Sequence, residues 1–156
     1  MYKLGVEVGG TKLQVAVGTD RGEIIHNESG RLPEPGNAEA ILGWLKKHIP
    51  PLISWAADEG TPISGIGVGF GGPVESATGR ILTSHQVDGW DAVEMKSWFE
   101  GTFNLPTVVV NDSNAAGWGE YTCGSGRGTQ TFCYMNIGSG IGGALVLDGK
   151  LHDGQG

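Results

Sequence analysis

Three short stretches carry residue types and spacings that could do chemistry. The first is Leu105–Glu120, LPTVVVNDSNAAGWGE, in which Asp112 follows a run of valines after one intervening asparagine. Three valines after Leu-Pro predict a strand over Thr107–Val110 that is buried on both faces, as in a parallel sheet. A helix is expected to begin near Asp112. An acid at the carboxyl end of such a strand sits where open α/β sheets bind ligands, and a carboxylate there can take a proton as general base. The same position suits Asp as a helix N-cap. On this stretch alone both roles stay open.

The other two stretches are glycine turns. Gly138-Ser139-Gly140-Ile141-Gly142-Gly143 satisfies GxGxxG, but the dinucleotide fingerprint needs a helix after the loop. Here Ala144-Leu-Val-Leu-Asp-Gly follows, which reads as strand and hairpin, so that reading is rejected. Gly5–Lys12 is a near miss for a P-loop, because Thr11 precedes Lys12 and a strand follows. What the two stretches share is a design: strand, glycine turn with a hydroxyl (Thr11, Ser139), returning strand. Glycine lets a backbone approach a phosphate and aim N–H groups at it. Two look-alike turns flanking a strand-end Asp favour phosphate binding over two plain hairpin turns.

These residues need elements to position them. Leu4, Val6 and Val8 alternate, as do Leu13, Val15 and Val17, and Glu23–Asn27 reads as a third strand, so the chain opens as an antiparallel meander. Asn37 is expected to cap a helix carrying Ile41, Leu42, Leu45 and Ile49, which Pro50-Pro51 should kink or break, with Gly60 as a stop. Ile63–Phe70 reads as a glycine-spaced strand ended by Gly71-Gly72-Pro73. A helix over Ala92–Glu100 is expected to start from an Asp91/Glu94 capping box, with a Trp90–Met95 staple and a stop at Gly101. Thr122–Gly128 reads as a joint. Thr131–Ile137 and Ala144–Leu147 read as strands around a loop at Gly138–Gly143, and Asp148-Gly149 as a hairpin turn.

The composition narrows the function classes. The 156 residues suffice for one ordinary core, and the 29 glycines fall in clusters between apolar runs, as loops do. A net charge of −7 argues against nonspecific nucleic-acid or membrane binding, though not against a nucleotide held by backbone N–H groups and a metal. Cys123 and Cys133 fit neither a CxxC pair nor a zinc knuckle and are expected as free thiols, and the four histidines lack metal-ligand spacing. With no signal core and no membrane-spanning run, a soluble cytoplasmic protein is expected.

Five segments, in order, resemble the sugar-kinase family ROK (repressor, open reading frame, kinase) of the actin/hexokinase/heat-shock ATPase fold. Val6–Lys12 resembles its first phosphate motif, and Gly67–Gly79, GVGFGGPVESATG, its glycine-proline segment near the sugar. Gly89–Leu105 resembles its tryptophan-bearing loop and helix, Val110–Glu120 its catalytic Asn-Asp motif, and Asn136–Gly143 its second phosphate motif. The resemblance implies an α/β fold. Residues 1–122 would form an actin-like ATPase (ribonuclease H-like) lobe with a mixed sheet and flanking helices. Residues 123–156 would be the joint and opening hairpin of a second similar lobe.

By the same resemblance the chain is part of an ATP-dependent kinase for a hexose or N-acetylhexosamine. ATP and Mg2+ would be its cofactors, a small sugar its partner, and a homo-oligomer its assembly. Asp112 would be the general base. Asn111, Gly71 and Gly72 would lie at the sugar. Gly9, Gly10, Thr11, Lys12, Gly138, Ser139 and Gly140 would lie at the phosphates, and Glu7 near the magnesium. The family's Glu-x-Gly-His sugar motif and cysteine-rich zinc motif are absent from these 156 residues. The family's zinc site is therefore not expected in this chain. Little turnover is expected of it alone, with Val146, Leu147 and Leu151 left short of packing partners. The alternatives are a non-enzymatic sugar-sensing domain, as in the family's repressors, and an actin- or chaperone-like ATPase.

Overall fold

The opening meander forms as its alternation predicts, from β1 (Tyr2–Val8), β2 (Lys12–Gly18) and β3 (Ile24–Arg31). The computed structural model describes residues 1–34, 36–82, 87–90, 93–138 and 140–152. Next come α1 (Ala38–Asp58), β4 (Ile63–Phe70), a small hairpin of β5 (Val74–Glu75) and β6 (Arg80–Ile81), α2 (Met95–Phe103), β7 (Thr107–Asn111) and α3 (Asp112–Cys123). β8 (Phe132–Ile137), β9 (Ile141–Leu147) and β10 (Lys150–His152) follow. The main sheet has five strands in the order β3-β2-β1-β4-β7, and β1, β4 and β7 run parallel.

One face of this sheet carries the core. Leu4, Val6, Val15, Val68, Phe70 and Val109 are buried there against Ile41, Leu45 and Ile49 of α1 and Phe99 of α2. Each such burial is worth about 1.5–3 kcal/mol. The other face is glycine-rich. Gly5, Gly67, Gly69 and Val108 line a trough of ≈1500 Å³ that α3 and the β9–β10 turn only partly roof. This corrects the expected two-sided burial of the valine strand: Val109 is 1% exposed and Val108 62%. Among the described residues β7 is an edge strand covered on one side only.

Three other expectations change. Pro50 and Pro51 lie inside an unbroken α1. Both are exposed, as are Lys46 and Lys47 one turn earlier, so the carbonyls they leave unpaired face water while Ile49, Leu52 and Ala56 hold the buried stripe. α2 starts at Met95, after an Glu94 N-cap that makes no side-chain cap bond. Asp91, the expected cap, lies outside the described residues. The helix runs through Gly101 and stops at Asn104, which takes the left-handed conformation with φ 53°. The Gly138–Gly143 loop is shorter than expected, because Gly142 and Gly143 pair with Asn136 and Met135 as β9.

The second sheet has three strands in the order β10-β9-β8, and β9 is joined to β10 by Asp148-Gly149 with positive φ at both residues, as a two-residue hairpin requires. It packs on α3. A Cβ on Gly117 would overlap that of Ala144 and lie 3.1 Å from Tyr134 Cβ, so glycine is needed at this crossing. Val146 is fully buried, contrary to the expectation for it, while Leu147 stays 40% exposed. The opposite face, with Met135, Ile137 and Ile141, is exposed.

Candidate active site

The parallel register decides where the site falls. Val8 pairs with Phe70, and Phe70 with Asn111, so the next residues on three adjacent strands, Gly9, Gly71 and Asp112, emerge at one sheet edge. They converge on Gly71. A Cβ there would sit 3.4 Å from Val8 O, 3.5 Å from Asp112 Oδ2 and 3.6 Å from Gly9 Cα. The backbone closes the cluster, with Gly71 N donating to Val8 O at 2.9 Å.

The N-cap of α3 is not Asp112 but its neighbour. Asn111 is the N-cap: its Oδ1 accepts from the N–H of Ser113 at 3.0 Å and of Asn114 at 3.3 Å. Asn111 Nδ2 donates to Gly72 O at 3.1 Å, tying β7 to the Gly71-Gly72 segment. Asp112 is the first residue of the helix. Its Oδ1 accepts from Ser113 N at 2.7 Å, and its Oδ2 faces Gly71. As the acidic residue in the first turn of α3, Asp112 is favourably placed against the helix dipole.

The first glycine turn is a reversal between β1 and β2, with Gly9 N donating to Lys12 O at 3.1 Å. Thr11 and Lys12 are exposed, and Lys12 Nζ lies along its own strand on Gln14 Oε1 at 2.9 Å. In the second turn Gly138 N donates to Gly140 O at 2.8 Å, and both glycines are exposed. Ser139 lies outside the described residues. Neither Gly138 nor Gly140 has positive φ, and a Cβ on either would meet nothing within 4 Å. Nothing inside the described chain therefore requires glycine there.

Two residues that sequence reasoning passed over link this turn to Asp112. Ser113 is buried, and its Oγ lies 3.3 Å from Asn136 Oδ1, two residues before Gly138. A Cβ on Gly142 would collide with Ser113 Oγ and lie 2.6 Å from Asn136 Oδ1. The available signal was a glycine inside an apolar strand, which marks a close approach. Asp112 is thus joined to the first turn through Gly71 and to the second through Ser113 and Asn136.

Glu7 is exposed at the upper part of β1 and lines the same trough as Asp112. Among the described residues neither carboxylate is in an ion pair, and no group of three metal-binding side chains forms a cage. Mg2+ is commonly held by one or two carboxylates plus substrate phosphates, so this donor set fits an ion that arrives with a nucleotide. Among the described residues no helix is long and apolar enough to cross a membrane.

This sheet order, the helices on it and a second sheet opening after α3 define an α/β lobe of the actin-like ATPase type, as in the solved ROK sugar kinases. The chain belongs to the ROK family, whose sequence profile matches residues 3–156. It is similar to a glucokinase of Streptomyces coelicolor, 32% identical over 97% of this chain and 45% of the relative. It is also similar to a xylose repressor of Caldicellulosiruptor bescii, 27% identical over 97% of this chain and 38% of the relative. Among solved structures, a ROK family glucokinase from Streptomyces griseus, in complex with glucose and AMPPNP, matches with TM-score 0.83 and 32% identity. That match covers 99% of this chain and 47% of the other. The chain thus spans about half the length of the relatives it matches.

Proposed function

We propose that these residues form the first half of an ATP-dependent hexose kinase site. The observation that carries this reading is Asp112, which is not the helix N-cap and turns its Oδ2 toward Gly71 at the end of a parallel strand, tied on either side to a glycine turn. In this reading Asp112 takes the proton from a sugar hydroxyl as that oxygen attacks the γ-phosphorus, and ADP leaves. Phosphoryl transfer asks mainly for positioning and electrostatics, plus one such acceptor. Asn111 has one Nδ2 hydrogen left after its bond to Gly72, and offers it to a sugar hydroxyl. Gly71 and Gly72 leave room for the ring. Gly9, Gly10, Thr11 and Lys12 on one side, with Gly138, Ser139 and Gly140 on the other, hold the phosphates. Glu7 would help hold a Mg2+ ion arriving with the nucleotide, which would supply charge neutralisation on those phosphates.

The unexplained glycines at Gly138 and Gly140 support phosphate binding, since each costs about 0.5–1 kcal/mol of backbone entropy with no internal return. The likeness to a xylose repressor supports a second reading, a sensing domain that binds sugar without turnover. The two separate in a coupled ADP-release assay on glucose, run on this chain alone and fused to the second half of the S. coelicolor glucokinase. The chain alone, roughly half a kinase, is expected to turn over little. In the active fusion, Asp112→Asn should lower turnover by ~10²–10⁴, the usual cost of losing a general base. Because Asn111 is the cap, the change spares the helix. Near-normal turnover by the variant would overturn the role given to Asp112.

A further inference from the structure

Trp90 is 1% exposed, and its indole Nε1–H is a buried donor with no hydrogen-bond partner among the described residues. Buried polar groups are almost always satisfied, so an orphan points to a group the chain does not itself supply. The indole stands edge-on to Phe70, with ring centroids 5.2 Å apart and an interplanar angle of 74°. It lines a cavity of ≈10 Å³ with Gly9, Gly10, Phe70 and Gly71. That volume is about what one water molecule needs. Val8 and Val87 complete a wall in which Gly9, Gly10 and Gly71 supply backbone at the strand ends. Gly9 N and Gly71 N are already bonded to Lys12 O and Val8 O, but among the described residues no backbone partner meets the Gly10 N–H or the Gly9 carbonyl.

We propose that this cavity is a site for a single hydroxyl-bearing oxygen, which accepts from Trp90 Nε1–H and donates to the backbone of the Gly9-Gly10 turn. Trp90 is then a positioning residue: through that oxygen it fixes the first glycine turn beside Gly71 and Asp112. The oxygen has two possible sources with one chemistry, an ordered water or a hydroxyl of the bound sugar. The size of the cavity favours water, because a hydroxyl brings its carbon with it. The consequence for phosphate binding rests on the function proposed above. The oxygen site itself does not.

The test is proton–nitrogen NMR on the 156-residue chain. The Trp90 indole signal is assigned by its loss in Trp90→Phe, which keeps an aromatic ring and removes the donor. Without ligand, that indole proton should show a cross-relaxation peak to a long-lived water. If the peak persists with glucose, the oxygen is water. If it gives way to a glucose hydroxyl, the sugar supplies it. Absence of both contacts overturns the proposal. Trp90→Phe should also shift the amide signals of Gly9, Gly10 and Thr11 with no nucleotide present, and unshifted signals would overturn the positioning role. Where Trp90→Phe does not fold, benzothienylalanine at position 90, which replaces the N–H by sulfur at nearly the same size, gives the same readout. AMPPNP binding should weaken about three- to tenfold in either variant, the usual effect of one hydrogen bond. A bound water with no AMPPNP binding in the unsubstituted chain would overturn the phosphate reading and leave the oxygen site standing.

Discussion

Two glycines on one helix should respond with opposite sign to the same substitution. Gly117 and Gly119 both lie in α3, with ordinary helical backbone. A Cβ on Gly119 would meet nothing within 4 Å, so Gly119→Ala should gain the helix propensity difference, about 0.8–1.0 kcal/mol. A Cβ on Gly117 would overlap Ala144 Cβ and press Tyr134 Cβ at 3.1 Å, against an ordinary carbon contact of about 3.5–4.0 Å. Ala144 Cβ is fixed to backbone and cannot rotate aside, so α3 and β9 must separate. Overpacking of this kind typically costs ~1–3 kcal/mol, which the propensity gain only partly offsets. Gly117→Ala should therefore fall below Gly119→Ala by about 1–3 kcal/mol. At about 2–4 °C per kcal/mol for a chain of this size, their Tm values should differ by at least about 2 °C. Urea unfolding followed by tryptophan fluorescence measures the same gap. If Gly117→Ala matches or exceeds Gly119→Ala, the second sheet does not dock on α3 as described, and the link from Ser113 to the second glycine turn fails with it.

Other outcomes follow from the same structure. Gly67 faces the open trough with nothing within 4 Å of a Cβ position, so Gly67→Ala should leave the isolated chain as stable or raise its stability by up to about 1 kcal/mol, read by thermal unfolding. A clear loss would mean that this face is covered in solution. Glu120 accepts from the backbone N–H and the hydroxyl of Ser125, both at 2.9 Å, and these bonds hold its carboxyl below the ordinary value of 4.5. A lowered folded pKa stabilises above the unfolded value and is lost as pH falls through the folded one. Ser125→Ala removes the hydroxyl bond and keeps the backbone one, so the Glu120 titration, followed by its carboxyl carbon shift, should move only part of the way up toward 4.5, and a full return would contradict the leading role of the backbone N–H.

Much of this architecture was legible because local chemistry and fold agree. Alternation at Leu4, Val6 and Val8 predicts β1, and Asp148-Gly149 predicts the turn after β9. Asn37 caps α1 as expected, its side chain accepting from Ala40 N at 2.9 Å. The misses have physical reasons. Pro50-Pro51 reads as a kink or break in α1, but the helix continues, because tertiary packing of Ile49 and Leu52 outweighs bonds lost on the solvent side. Gly101 reads as a helix stop, yet Asn104 can take the left-handed turn and Phe103 extends the apolar face. The position of Asp112 was legible, whereas the N-cap was not, because both Asn111 and Asp112 reach Ser113 N and only Asn111 also accepts from Asn114 N. The contact of Ser113 with Asn136 was invisible for a similar reason, since the two are 23 residues apart and only α3 docking brings them together.

The central claim is that one sheet edge gathers a phosphate-binding pair of glycine turns around Asp112. It is tested most directly by amide-resolved NMR titration of the chain with AMPPNP and Mg2+, and separately with glucose, a method that registers weak binding. The account predicts that the nucleotide shifts Gly9, Gly10, Thr11, Gly138 and Gly140 together, and that glucose shifts Gly71, Gly72 and the Asn111–Ser113 segment. Nucleotide shifts confined to one turn, or found away from both while the sheet stays folded, would contradict it.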